Sequence, residues 1–242
     1  MQGSRPGDCP PSWVYPFGMK LHNYFRSSSS FRVRIALALK GLPYEYVAVH
    51  IARGEHKKPP YVDLSADTLV PLLEVDGHQL SQSMAIIEYL DDTHPTPALL
   101  PADPLGRAQV RALAQSIACE IHPINNLRVL KKVVADISDP DEATRARFAW
   151  FQHWAHEGLL AFERQLDFSE RQRAVNGLGA STFCYGNTPT LADCCLVPQI
   201  FNGRRFEVSM AGLPRTQAVF DECMKLPAFQ AAQPSACPDF EA

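Results

Sequence analysis

Hydrophobic and polar residues mix over a short stretch from Lys20 to Phe25 and then give way to Ser27-Ser28-Ser29-Ser30. This pattern predicts a strand running into a serine cluster, which opens an amphipathic helix ending at Lys40-Gly41. Gly41-Leu42-Pro43 stops that helix, and the β-rich run Tyr44 to His50 predicts a second strand. A helix between two strands forms a βαβ unit, so these strands are expected to be parallel. Ile51 to Asp67 is polar, contains Pro59-Pro60, and reads as a loop with at most a short helix. Leu69 to Val75 predicts a third strand interrupted at Pro71. Asp76-Gly77 is a hairpin signal, so His78 to Leu80 is expected to return antiparallel. Ser83 is expected to cap a helix running through Tyr89 to about Thr93. The order βαβ, loop, ββα is that of a thioredoxin-like domain, and in that context a cis Val70-Pro71 bond is expected, turning the Val70 backbone outward.

His94 to Leu105 is a proline-rich linker, stiff rather than floppy. No strand pattern follows it. Arg107 to Ala135 and Asp139 to Leu166 have helical periodicity, and the polar run Asp167 to Thr182, with Asn176-Gly177, reads as a connection. Thr190-Leu191-Ala192-Asp193 has the form of a capping box and starts a helix running towards Arg205. A last helix is expected over about Arg215 to Lys225. The expected fold is an α/β thioredoxin-like N-terminal domain (residues 19–100) plus an all-α C-terminal helical domain (residues 106–242). Residues 1–18, rich in Pro and Gly, read as a disordered leader, with Met19 a natural initiator before the first strand. Phe148, Trp150, Phe151 and Trp154 are expected in the helical core, Asp193 is expected to hold its helix start, and Asn125 and Asn126 can satisfy buried backbone.

Composition narrows the function classes. Apolar residues make up 46% of the 242 and charged residues 20%, ordinary values for a globular chain. A net charge of −3 gives no reason to expect nucleic acid or an anionic membrane as partner. No apolar run approaches a membrane span. Seven cysteines, none spaced Cys-x-x-Cys, do not make a disulfide framework and point to a reducing cytosol. No metal site is expected.

The serine turn carries the most chemistry. Hydroxyls at a strand-to-helix turn sit among unpaired N–H groups where the helix dipole is positive, a place to hold an anion. The alternative is a plain helix cap or a flexible linker. In a thioredoxin-like fold this turn carries a redox Cys-x-x-Cys, but here it carries serines. Any sulfur chemistry must come from a bound ligand, and the thiolate of glutathione is the obvious candidate.

Three motifs support that candidate. Arg26-Ser27-Ser28, followed by Ser30, Arg32, Val33 and Arg34, resembles the zeta-class signature of the cytosolic glutathione transferases. Gln82-Ser83 resembles the glutathione-carboxylate motif of that family. Glu120-Ile121-His122-Pro123-Ile124-Asn125-Asn126-Leu127-Arg128-Val129-Leu130 is similar to a segment of bacterial maleylacetoacetate isomerases and the related maleylpyruvate isomerases. The resemblance runs from about Met19 to the end. There are three departures: Ser29 replaces the usual cysteine, Leu69 replaces a glutamine of some members, and Leu127 replaces an arginine of some maleylpyruvate isomerases.

The resemblance implies glutathione as cofactor, a small dicarboxylic maleyl substrate, a cytoplasmic homodimer, and cis–trans isomerisation of maleylacetoacetate by reversible thiolate addition. Maleylpyruvate, small α-halo acids, or a noncatalytic glutathione-binding or dimerising module are the alternatives. Ser27, Ser28, Val70, Gln82, Ser83 and His56 (or Lys57) are then expected to hold glutathione. Ser28 is expected to activate the thiol, with Ser27 second and Ser29 in support. Lowering a thiol pKa by about two units needs roughly 2.7 kcal/mol. One hydrogen bond to a charged group supplies about 1.5–3 kcal/mol and a helix N-terminus about 0.3–1 kcal/mol, so no general base is needed. Arg26, His122, Asn126, Arg128 and Arg204 or Arg205 are expected to bind substrate carboxylates and the negative charge that gathers on substrate oxygens. Arg32 and Arg34 are expected to be surface charges.

Overall fold

The computed structural model describes residues 18–241, so the leader lies outside the described residues except for Gly18. β1 (Lys20–Asn23), β2 (Glu45–Ala48), β3 (Leu72–Val75) and β4 (His78–Ser81) form one sheet of order β2-β1-β3-β4. β1 pairs parallel with β2 through Leu21↔Tyr46, as the βαβ pattern predicts. It pairs antiparallel with β3 through Leu21↔Leu73. The β3–β4 hairpin turns at Asp76 (φ 53°) and Gly77 (φ 76°), where two positive φ values give the turn that matches strand twist. The stretch between β2 and β3 holds one short α-helix, α2 (Tyr61–Leu64). The Val70-Pro71 bond is cis, and no hydrogen bond from the described residues reaches the Val70 backbone.

α1 (Ser28–Leu39) differs from the amphipathic helix the pattern suggests. It is buried on nearly every side, because α8 (Leu191–Arg205), α10 (Pro227–Ala232), α3 (Ser83–Thr93) and the sheet enclose it. Arg32 and Arg34, expected at the surface, are each only 2% exposed. Arg34 is fully used: it donates from Nε to the Ala232 carbonyl (2.9 Å), from Nη1 to Asn23 Oδ1 (2.9 Å) and from Nη2 to the Phe25 carbonyl (3.0 Å). It thereby fastens α10 to the β1–α1 turn. α10 and the 3₁₀ turn Pro234–Ala236 are absent from the sequence-based expectation. Asp239 adds a second tie, accepting from the Phe25 N–H (3.3 Å) and from the Tyr46 hydroxyl.

The linker is tied down. Lys40 Nζ bonds Asp91 Oδ1 (2.8 Å) and the His94 and Pro97 carbonyls, and Leu99 and Leu100 are buried in a core that runs continuously through the sheet and the helices. The expected helix Arg107–Ala135 starts earlier and breaks. Asp103 caps α4 (Pro104–Gln115) by accepting from the Gly106 N–H (2.7 Å), and Pro104 takes the first helical position, where its missing N–H costs nothing. The helix continues as a π-helical stretch, Ser116–Ile121, into α5 (His122–Ile124), stops at Asn125, and resumes as α6 (Leu127–Val133). α7 (Pro140–Val175) outruns the expected end at Leu166. Only Leu166 and Ser169 in its last part face inward, so polar residues dominate that stretch without ending the helix, and Asn176-Gly177 stops it. α9 (Pro214–Met224) follows α8. Among the described residues no helix is long and apolar enough to cross a membrane.

Candidate active site

Ser27 is the N-cap of α1. Its backbone is extended (φ −70°, ψ 118°) and its Oγ accepts from the Ser30 N–H (3.2 Å). Ser28 and Ser29 are the first two helical residues, so their N–H groups are the open donors of the helix end. Successive helical residues point about 100° apart, and the two serines therefore face different walls.

Ser28 faces α8. It lines a small cavity with Arg26, Phe31, Phe201, Asn202 and Arg205. Arg26 is oriented by its own turn: Nε and Nη2 donate to the Tyr24 hydroxyl (3.1 and 3.0 Å), and the guanidinium lies 5.2 Å from the Phe25 ring centre. Across the cavity, the Arg205 pKa is held below the usual arginine value by partial desolvation and then by the Arg26 charge. Among the described residues neither arginine forms an ion pair. Two cations with no carboxylate between them suit an anionic guest. Arg204 points elsewhere, 4.2 Å from the Phe220 ring centre.

Ser29 faces α5, and its Oγ lies 3.2 Å from His122 Nε2. Gly158 of α7 permits this approach. A Cβ there would sit 2.4 Å from Ile121 Cγ1, so glycine lets α7 press against the segment that ends at His122. Burial, followed by the Arg32 charge, pushes the His122 pKa down to about 3. His122 is therefore a neutral hydrogen-bonding ring at physiological pH and not one of the cations of the site. Between the ordinary value of 6.5 and about 3 the unfolded chain takes up a proton that the folded chain refuses, so stability falls as pH falls through that window. His122→Gln, which keeps hydrogen-bonding capacity, is expected to remove about 1–2 kcal/mol of the stability loss between about pH 7 and 5, read from urea midpoints.

The third wall is the N-terminus of α3. Gln82, not Ser83, is the N-cap; it has φ 68° and makes no side-chain capping bond, and its Nε2 donates to Asp67 Oδ2 (3.3 Å). Ser83 is the first helical residue, buried, and its Oγ accepts from Arg32 Nη1 (3.3 Å). An open helix end and a buried cation therefore stand together here, and the Val70 backbone carries no hydrogen bond among the described residues.

Residues 18–92 match the family model for the glutathione S-transferase N-terminal domain. The chain is 45% identical to a maleylpyruvate isomerase of a Ralstonia species over 221 residues, 91% of this chain and 99% of that protein. It is 44% identical to the maleylacetoacetate isomerase of Rhizobium meliloti, over 88% of this chain and 95% of that one. A holo structure of maleylpyruvate isomerase, described as a bacterial glutathione S-transferase of the zeta class, superposes with a TM-score of 0.81 at 44% identity, covering 92% of this chain and all of that one. The chain belongs to the zeta class of glutathione transferases. A maleylacetoacetate isomerase of Anaeromyxobacter dehalogenans with glutathione bound in its active site aligns with a TM-score of 0.79 at 39% identity, over 93% of this chain and 98% of that one.

Within this zeta-class fold, Arg26, Ser28 and Arg205 meet at one cavity, Ser29 meets His122, and Ser83 meets Arg32. Other expected residues stand differently. Asn126 caps α6, its Oδ1 accepting from the Arg128 N–H (3.2 Å), so that oxygen is committed to the backbone. Arg128 is exposed on the first turn of α6, and no polar contact joins its side chain to the α1 serines among the described residues. His56 is half-buried on the turn Glu55–Lys57. Its Nδ1 has no partner, and burial followed by the charges of Lys57 and Lys131 lowers its pKa. Arg32 is the residue that the sequence pattern concealed. Its one available signal was its place one helical turn after Ser28 and Ser29, in a direction between theirs.

Proposed function

We propose that this zeta-class chain is a glutathione-dependent cis–trans isomerase that converts maleylacetoacetate to fumarylacetoacetate, working as a cytosolic homodimer. The observation that carries the reading is the pairing of Arg26 and Arg205 at the cavity that Ser28 opens into. The near-full-length likeness to isomerases of maleyl substrates supports the same chemistry. The six described cysteines are all unpaired, in keeping with a reducing compartment.

The residues fit glutathione, an anionic thiol peptide. The Ser83 hydroxyl and the α3 amides suit its γ-glutamyl carboxylate, with Gln82 beside them. The Val70 backbone offers its N–H and carbonyl to the extended peptide, and the unpartnered His56 Nδ1 or Lys57 suits the glycyl end. Bound glutathione supplies a thiolate whose reversible addition turns the substrate double bond into a single bond, about which rotation is free. Ser28 would give that sulfur a hydrogen bond from its hydroxyl and keep its proton, the open amides of α1 add their dipole, and Ser29, held by His122, supports the turn. Arg26 and Arg205 hold the substrate carboxylate and the negative charge that grows on substrate oxygens, stabilising the transition state more than the ground state.

Ser28→Ala is expected to raise the pKa of the bound thiol by about one unit, read from its ultraviolet thiolate absorbance, with little loss of stability. An unchanged titration removes Ser28 from that role.

Maleylpyruvate is the second reading, favoured by the 45% identity to a maleylpyruvate isomerase. Leu127, 42% exposed at the start of α6, leaves this chain one cation short of some of those enzymes. The deciding experiment compares kcat/KM for the two substrates. A higher value for maleylacetoacetate is expected, and a higher value for maleylpyruvate moves the chain to the second reading.

A further inference from the structure

α1 carries two buried arginines with opposite fates. Arg34 spends its donors on Ala232, Asn23 and Phe25. Arg32, equally buried at 2% exposure, has one hydrogen bond, 3.3 Å to Ser83 Oγ, while its Nε and Nη2 have no partner. Among the described residues no carboxylate lies within ion-pairing distance of it. The buried Lys40, by contrast, has Asp91. Taking a charge out of water without a counter-charge is costly, and an apolar residue of similar size would fill the position more stably. A fold that keeps an uncompensated cation there is built for an anion that arrives from outside.

The direction of the Arg32–Ser83 bond says where that anion sits. A guanidinium only donates, so Ser83 Oγ must accept, and its own O–H is left to donate elsewhere. Ser83 opens an 11-residue helix with no acidic residue in its first turn and no side-chain cap from Gln82. The helix amides, a hydroxyl committed to donating, and a buried positive charge behind it therefore converge on one point.

We propose that Arg32 is a positioning residue that acts through the Ser83 hydroxyl to complete a carboxylate site at the N-terminus of α3, the site taken by the γ-glutamyl end of glutathione. This rests on the glutathione reading above. Arg32 touches neither the sulfur nor the reacting bond. It sets the strength and direction of the hydrogen bond that Ser83 gives.

The test is calorimetric titration of the full chain with glutathione and with cysteinylglycine, which lacks the γ-glutamyl end, using wild type, Arg32→Met, Arg32→Lys, Ser83→Ala and the double variant Arg32→Met/Ser83→Ala. Arg32→Met is expected to weaken glutathione binding about 10-fold and cysteinylglycine binding less than about twofold, with Arg32→Lys recovering most of the loss. The double variant is expected to bind glutathione no worse than Ser83→Ala alone. Circular dichroism checks folding, and Arg32→Gln replaces Arg32→Met if the latter does not fold. Equal losses for both ligands, additive losses with Ser83→Ala, or an unchanged glutathione affinity would each overturn the role of Arg32 while leaving the glutathione reading intact. A wild-type chain that binds neither glutathione nor free glutamate would overturn both.

Discussion

Arg205→Met is expected to lower kcat/KM for the maleyl substrate by about 100-fold while changing glutathione affinity less than about twofold. A hydrogen bond to a charged group contributes about 1.5–3 kcal/mol, and one that strengthens as charge develops is lost from the transition state in full. Arg205 forms no ion pair among the described residues, and its guanidinium lies 5.0 Å from the Phe206 ring centre, so its removal leaves no charged partner stranded in the protein. Removing Arg205 also relieves its repulsion with Arg26, which partly offsets any effect on folding. Arg204→Met is the internal control. Its guanidinium packs on Phe220, so a small stability loss and near-normal turnover are expected. Equal activity losses for the two variants, or a parallel loss of glutathione affinity for Arg205→Met, would remove Arg205 from the substrate wall.

Asp193→Ala is expected to destabilise the protein by about 3–5 kcal/mol in equilibrium urea unfolding. The carboxylate is fully buried and accepts from the Thr190 N–H (2.7 Å), the Thr190 hydroxyl (2.8 Å) and the Cys184 N–H (2.8 Å). Burial raises its pKa, while the bonds from Cys184 and Thr190 oppose the rise. Truncation leaves those donors buried without an acceptor, and each such group costs about 1–3 kcal/mol. It also frees the start of α8, the helix that carries Phe201, Asn202 and Arg205 to the cavity. Asp193→Asn, which keeps one acceptor, is expected to fall between. A loss below about 1 kcal/mol for Asp193→Ala would mean that the Leu191 helix start is held by packing alone.

These two residues show how unevenly structure is written in a sequence. The Thr190–Asp193 box was legible because its chemistry is local: a hydroxyl and an acid three residues apart can satisfy each other's backbone N–H groups at a helix start. The Asp76-Gly77 hairpin, the parallel β1–β2 pairing and the serine-capped α1 were legible for the same reason. The burial of Arg32 and Arg34 was not. An arginine in a helix pattern reads as surface unless one knows that α8 and α10 close over that face, and α10 itself left no strong periodic signal in six residues. His122 reads in the sequence as a substrate ligand, while its contact with Ser29 and its neutrality depend on burial and on Arg32, which lies 90 positions earlier in the chain. Asn126 was read as a substrate ligand because its segment resembles one in the isomerases, whereas its geometry is that of a cap. The late end of α7 escaped notice because a helix exposed on most of its circumference shows little apolar periodicity.

The proposed isomerase uses glutathione as a returning cofactor to turn a cis double bond trans. The direct test follows conversion of maleylacetoacetate by the purified protein with glutathione, without it, and with S-methylglutathione, whose sulfur is blocked. Fast conversion with glutathione alone, with glutathione recovered unchanged at the end, is the predicted result. Conversion at the same rate without a free thiol, or glutathione consumed mole for mole into product, would contradict it.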